Sequence, residues 1–180
     1  YDSRGLLTRT IDQAGVAENT LILFTSDNGP ETAAEVNPGA YQRIPKHQHA
    51  SAGELRGVKR DLWEGGHRVP FIARWPGKIP AATVSDEIIC HVDFMATIAA
   101  LLDAKLPPNA AEDSYNLLSI LRGEKSARPV REATVHHSSS GRFAIRQGDW
   151  VLIEQGTGED NRAAAAEPAW RKKERGYTPD

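Results

Sequence analysis

Asp27 and Asn28 close the apolar run LILFTS and are followed at once by Gly29 and Pro30. A carboxylate and an amide carbonyl side by side are hard oxygen donors, suited to Ca²⁺ or Mg²⁺ and poorly suited to soft metals. The same tetrapeptide also makes a tight turn in which Asp and Asn bond their own backbone. Taken alone, it leaves both readings open. A second group gathers in LRGVKRDLWEGGHRVPFIARWPG, where Arg56, Lys59, Arg60, His67 and Arg68 surround Gly65 and Gly66. Glycines let backbone approach a ligand closely, and a lysine ammonium is a compact point charge suited to a tetrahedral oxyanion. The alternative is a solvated basic loop with a Gly-Gly turn ahead of a strand.

Other residues carry weaker signals. His47 and His49 form an H-x-H whose rings could converge on a metal, but no soft ligand stands near them in sequence. His136 and His137 end a strand candidate and face opposite ways, so one of them at most looks into a pocket. A surface or packing role is the plain account of both, and His137 is the candidate for substrate contact. Trp63, Trp75 and Trp150 lie beside or within apolar segments and read as core or sheet-packing residues. Asp93 reads as a helix cap, and RKKER (171–175) as a solvated face.

These residues need elements to position them. The chain has 180 residues, 39% hydrophobic and 26% charged, enough for one domain with a real core. A net charge of −2 leaves no footprint for nucleic acid and no polybasic signal for a membrane surface, and no apolar run reaches membrane-spanning length. The lone Cys90 excludes an internal disulfide framework. Tyr1 in place of an initiator Met, and a polar GYTPD end without cap or closing strand, read as a piece of something larger.

The spacing of Leu6, Leu7 and Ile11 predicts a helix stopped by Gly15, and LILFTS a short, buried, parallel strand. Residues 30–55 read as a long loop. VPFIARWP is a second strand, FMATIAALLDA a helix entered through Asp93, and NLLSILRG a short helix ending at Gly123. ATVHHSS, GRFAIRQG and DWVLIEQG are three strand candidates with short connections, hence an antiparallel meander. The reading is an α/β portion over residues 1–128 and a small antiparallel β portion with an irregular tail over 129–180. Ligands in open α/β sheets gather beyond the carboxyl ends of strands, where Asp27 and Asn28 fall.

TSDNGP followed by the long G-x-K…WEGG-x-R-VP block, then VDFMATIAALL and NLLSILRG, resembles the sulfatase family of the alkaline-phosphatase-like superfamily. GRFAIRQGDWVLI is similar to the small C-terminal sheet of its bacterial arylsulfatase-like members. The resemblance implies an alkaline-phosphatase-like α/β sandwich portion acting on an aryl or carbohydrate sulfate ester. It makes Asp27 and Asn28 two ligands of a divalent cation, Ca²⁺ with Mg²⁺ as the alternative. It makes Lys59 the lysine that touches sulfate, gives Arg68 and Gly65-Gly66 a loop-shaping role, and implies a periplasmic or secreted setting. The family's nucleophile is a formylglycine made in a C/S-x-P-x-R or S-x-A-x-R context, and no such motif occurs here. Cys90 is followed by HVDF, and in SARPVR the Pro and Arg131 fall at the wrong offsets. The formylglycine and the family's paired aspartates are therefore expected upstream of Tyr1. The isolated chain is expected to be inactive, and to need a partner chain or to self-associate. A phosphate mono- or diesterase of the same superfamily and a non-catalytic binding module are the alternatives.

Overall fold

The computed structural model describes residues 3–31, 40 and 43–160. Its elements follow in the order α1 (Ser3–Gln13), a 3-10 turn (Ala17–Asn19), β1 (Ile22–Thr25), α2 (Arg43–His47), α3 (Glu64–His67), β2 (Phe71–Arg74), α4 (Asp93–Leu101), α5 (Leu118–Leu121), β3 (Ala133–His137), β4 (Phe143–Gln147) and β5 (Trp150–Ile153). Helix α1 stops just before Gly15, whose φ of +71° lies in the left-handed region that glycine enters without strain. The stretch expected as an unbroken loop carries the short α2. Pro45 is tolerated there because it falls in the first turn, where an N–H has no helical acceptor to lose. The RKKER run lies outside the described residues.

The described residues cluster into two compact units, one of residues 3–24 and 71–134, the other of residues 25–70 and 135–160. In the first, β1 and β2 share a two-stranded sheet. The indole N–H of Trp75 donates to the Glu18 carbonyl at 2.7 Å, and Arg74 pairs with Asp12 at 2.8 Å. The strand expected to be buried, β1, is partly open, with Phe24 40% exposed, and in β2 Ile72 is 58% exposed.

Helix α4 turns its polar face inward. Asp93 and Thr97 are buried, while Met95, Ile98 and Leu102 stand exposed at helical spacing. Asp93 is more than the helix cap expected of it. Its Oδ2 accepts the Cys90 N–H at 2.8 Å, which is cap-like, but Oδ1 accepts the Tyr115 N–H and Arg131 closes on both oxygens. Thr97 receives the Leu117 N–H at 3.0 Å, so the chain around the buried Leu117 and Leu118 is held to α4 by polar groups.

In the second unit the meander forms as expected, in the order β3-β4-β5. Strands β4 and β5 pair antiparallel from Ala144↔Ile153 to Gln147↔Trp150. Gly148 at φ +54° and Asp149 make the two-residue connection, in the conformation that matches strand twist. Trp150 does not pack as expected: it sits at the hairpin end with 83% of its surface exposed. The apolar centre of the unit includes Val58, Leu62 and Ala144. Residues 158–160 return to it, Gly158 O accepting the Leu62 N–H at 2.7 Å and Asp160 N donating to Asp61 Oδ1 at 3.0 Å.

Candidate functional site

The end of β1 and the loop before α3 meet through glycine. A Cβ on Gly29 would lie 1.8 Å from the Gly65 carbonyl oxygen, one on Gly65 would lie 2.1 Å from Gly57 O, and one on Gly66 2.3 Å from Asp61 O. Backbone therefore packs directly on backbone through these positions, a contact closed to any residue with a side chain. Hydrogen bonds follow the same line. Gly29 N donates to Gly66 O at 2.9 Å, Gly65 N to Arg56 O at 2.6 Å, and Lys59 N to Pro30 O at 3.1 Å. The glycines read as loop-shaping in sequence are thus what brings the Asp27–Asn28 turn against the Lys59 loop.

Within that turn Ser26, not Asp27, supplies the side-chain bond, its Oγ donating to the Asn28 carbonyl at 3.0 Å. The Asp27 carboxylate is exposed, and among the described residues no donor is directed at it. A turn that merely used Asp to bond its own backbone would engage that carboxylate.

The opposing loop is built on Asp61. Its Oδ2 accepts the Val58 N–H at 3.0 Å, and its own N–H returns to Val58 O at 3.0 Å, closing a tight turn around Lys59 and Arg60. Arg60 is forced to φ +83°, a strained conformation for a residue with a side chain. From there its guanidinium grips Glu31 with both ends, Nη1 to Oε1 at 2.7 Å and Nη2 to Oε2 at 3.0 Å, while Lys59 Nζ lies 3.1 Å from Oε2. Glu31 had no motif to announce it. The only signal was an acidic residue directly after Pro30, in a chain whose basic residues crowd one loop.

Arg56 covers the ring of Trp63 at 3.7 Å, a cation–π contact, and Arg68 pairs with Glu64 one helical turn away at 2.9 Å. Arg146 also reaches Glu64. The three side chains therefore brace the loop.

The histidines divide. His136 turns inward and stacks on His67, ring centroids 3.7 Å apart, with its Nε2 against the Leu62 carbonyl at 3.3 Å. A carbonyl only accepts, so Nε2 carries the proton. Burial, then the neighbouring His136, hold His67 down at about 4. Burial likewise lowers His136. His137 faces outward, its Nδ1 2.9 Å from the Ser138 carbonyl. His47 and His49 are both exposed, and no group of three His, Cys, Asp or Glu side chains able to hold a metal occurs among the described residues.

The chain also matches known proteins. The sulfatase family model matches residues 5–104. The chain is 35% identical over 150 residues to an N-acetylgalactosamine-6-O-sulfatase of Bacteroides thetaiotaomicron, covering 83% of this chain and 28% of that protein. It is 34% identical over 170 residues to human arylsulfatase A, covering 92% and 31%. A solved structure described in the metabolism of multiple glycosaminoglycans by B. thetaiotaomicron superposes with a TM-score of 0.73 at 34% identity, over 88% of this chain and 32% of that one. A Pseudoalteromonas sulfatase superposes with a TM-score of 0.66 at 30% identity, over 83% and 28%. The fold is thus alkaline-phosphatase-like α/β, and the chain spans about a third or less of the length of these proteins.

Proposed function

The chain belongs to the sulfatase family, and on that premise we propose that it supplies half of a divalent-cation site and the sulfate-binding lysine of a sulfuric ester hydrolase. The observation that carries this reading is the glycine-locked meeting of the Asp27–Asn28 turn with the Lys59 loop.

The donors fit a hard divalent cation in kind: a carboxylate and an amide oxygen side by side, the carboxylate engaged by no donor among the described residues. They do not fill its shell, since Ca²⁺ takes about six to eight oxygens. Asp27 and Asn28 would hold one side of Ca²⁺, or of Mg²⁺, with further ligands from outside this chain. Such a cation, when bound, draws charge from the sulfate oxygens as the ester S–O bond breaks. Lys59 does the same from this chain's own stock, its ammonium donating to a sulfate oxygen and holding its charge through the cleavage.

His137 stands for substrate contact on narrower grounds. With Nδ1–H given to the Ser138 carbonyl, only the imidazolium form offers an Nε2–H to an anion. Without a formylglycine motif in the sequence, the isolated chain lacks the nucleophile and does not turn over sulfate esters. Names among the relatives span N-acetylgalactosamine-6-O-, aryl and steryl sulfatases, so the sulfate ester is the common element and a carbohydrate sulfate one candidate. The outward apolar face of α4 supports a further part of this reading, that additional polypeptide, a partner chain or a second copy, covers it.

The test is a chimaera in which this chain replaces the matched segment of the Bacteroides relative. Retained hydrolysis of its sulfate ester, lost on Lys59→Ala and on Asp27→Ala, is expected. A folded chimaera indifferent to both substitutions removes the reading.

A further inference from the structure

Lys59 is tied at both ends to consecutive residues. Its backbone N–H donates to Pro30 O at 3.1 Å and its ammonium lies 3.1 Å from Glu31 Oε2. A lysine side chain has four rotatable bonds and about 2 kcal/mol of rotamer entropy, so an unanchored ammonium would sweep a wide volume. Here the anchor is itself fixed. Arg60 holds the Glu31 carboxylate through two parallel bonds, the geometry in which a guanidinium fixes direction as well as distance. Arg60 reaches that carboxylate from a φ of +83°, a strained backbone held by the Asp61 turn. Lys59 and Arg60 are adjacent, and in an ordinary extended or helical backbone adjacent side chains point apart. The strained residue instead sends both to one carboxylate. Glu31 is also the less exposed partner, at 17% of its side chain against 39% for Lys59, so the carboxylate is the fixed post and the ammonium the group it presents.

We propose that Glu31 is a positioning residue: it sets where the Lys59 ammonium meets the sulfate group, and Arg60 sets Glu31. This rests on the reading of Lys59 as the sulfate-binding residue and deepens it. The carboxylate acts only through Lys59 and takes no part in the chemical step. It also offsets the charge of the two adjacent cations that it holds.

The experiment follows the Lys59 side-chain ammonium by nitrogen relaxation in the full chain, with Lys59→Arg assigning the signal and thermal melting run beside it. The wild-type ammonium is expected to be ordered. Glu31→Gln, equal in shape and without charge, is expected to release it to the mobility of a surface lysine. Arg60→Gln should release it partly, and Glu31→Asp, one methylene shorter, should hold it less well than wild type and better than Gln. An ammonium equally ordered in wild type and folded Glu31→Gln overturns the proposal. So does a Glu31→Gln chain that fails to fold while Arg60→Gln leaves Lys59 unmoved, since Glu31 then serves the fold alone. Inorganic sulfate is titrated separately into the wild type. An ordered Lys59 signal that ignores sulfate overturns the sulfate reading of Lys59, and leaves the Glu31 anchor measured independently of it.

Discussion

Arg131 holds Asp93 across 38 residues of chain, its Nε donating to Oδ2 at 3.1 Å and its Nη2 to Oδ1. Asp93 is 0% exposed and Arg131 6%. Both are wrapped in further bonds, from the Cys90 and Tyr115 N–H groups to the carboxylate and from the guanidinium to the Asp113 and Ala133 carbonyls. The guanidinium also lies 4.5 Å over the Tyr115 ring.

Removing one partner strands the other's charge in a site closed to water. Arg131→Met is expected to cost about 3–5 kcal/mol of stability, read by urea denaturation. Asp93→Asn should cost less than Asp93→Ala, because the amide oxygen still accepts one backbone N–H. A loss under about 1 kcal/mol for Arg131→Met would mean that water reaches the pair.

Acid should weaken the fold through His67. Its folded pKa of about 4 lies below the ordinary 6.5, with burial and His136 the leading causes. Between those values the unfolded chain takes up a proton that the folded chain refuses. The stability present above pH 6.5 is thus lost progressively as pH falls towards 4, by about 3 kcal/mol over the window. His67→Gln should flatten the difference in denaturation midpoint between pH 7 and pH 4.5. Parallel profiles for both proteins would assign the acid sensitivity to other groups.

The glycine contact predicts a sharp asymmetry. Gly29→Ala drives a methyl to 1.8 Å from a carbonyl oxygen and should lose about 3 kcal/mol or more, read as a large drop in melting temperature. Gly156→Ala meets nothing within 4 Å and should stay within about 0.5 kcal/mol. Equal melting temperatures would mean that the two loops part readily.

Titration of Ca²⁺ into the chain should give weak, Asp27-dependent binding, since two oxygens leave most of the shell to water. Asp27→Ala should abolish the heat measured by calorimetry, and Mg²⁺ should compete poorly. Binding that is unchanged in Asp27→Ala would place the cation elsewhere.

What the sequence disclosed follows from local physics. LILFTS, FIAR and the three C-terminal strand segments were legible because apolar runs bounded by Gly and Pro have few other uses, and TSDNGP and WEGG carried a family pattern. The glycine contact was half legible: Gly65 and Gly66 announced a close approach, but nothing local identified Gly29 as what approaches. Glu31 and Arg131 were hidden, because an ion pair between residues 29 or 38 apart leaves no periodic trace. Trp150 misled for the opposite reason, since an aromatic residue within a strand says that one face is apolar without saying that anything covers it. Asp93 fitted a cap by position, and its larger role came from a partner far along the chain.

The outward face of α4 contains the one methionine of the chain, Met95, 53% exposed. A thioether in that place reacts with peroxide to a sulfoxide at a rate set by its access to solvent. Mass spectrometry of a single tryptic peptide therefore reports, without any label, whether that face is bare or occupied. The same chemistry has a harsher side: a sulfoxide at Met95 turns an apolar surface polar, so on the proposal that further polypeptide covers this face, oxidation is expected to weaken that association before it weakens the fold.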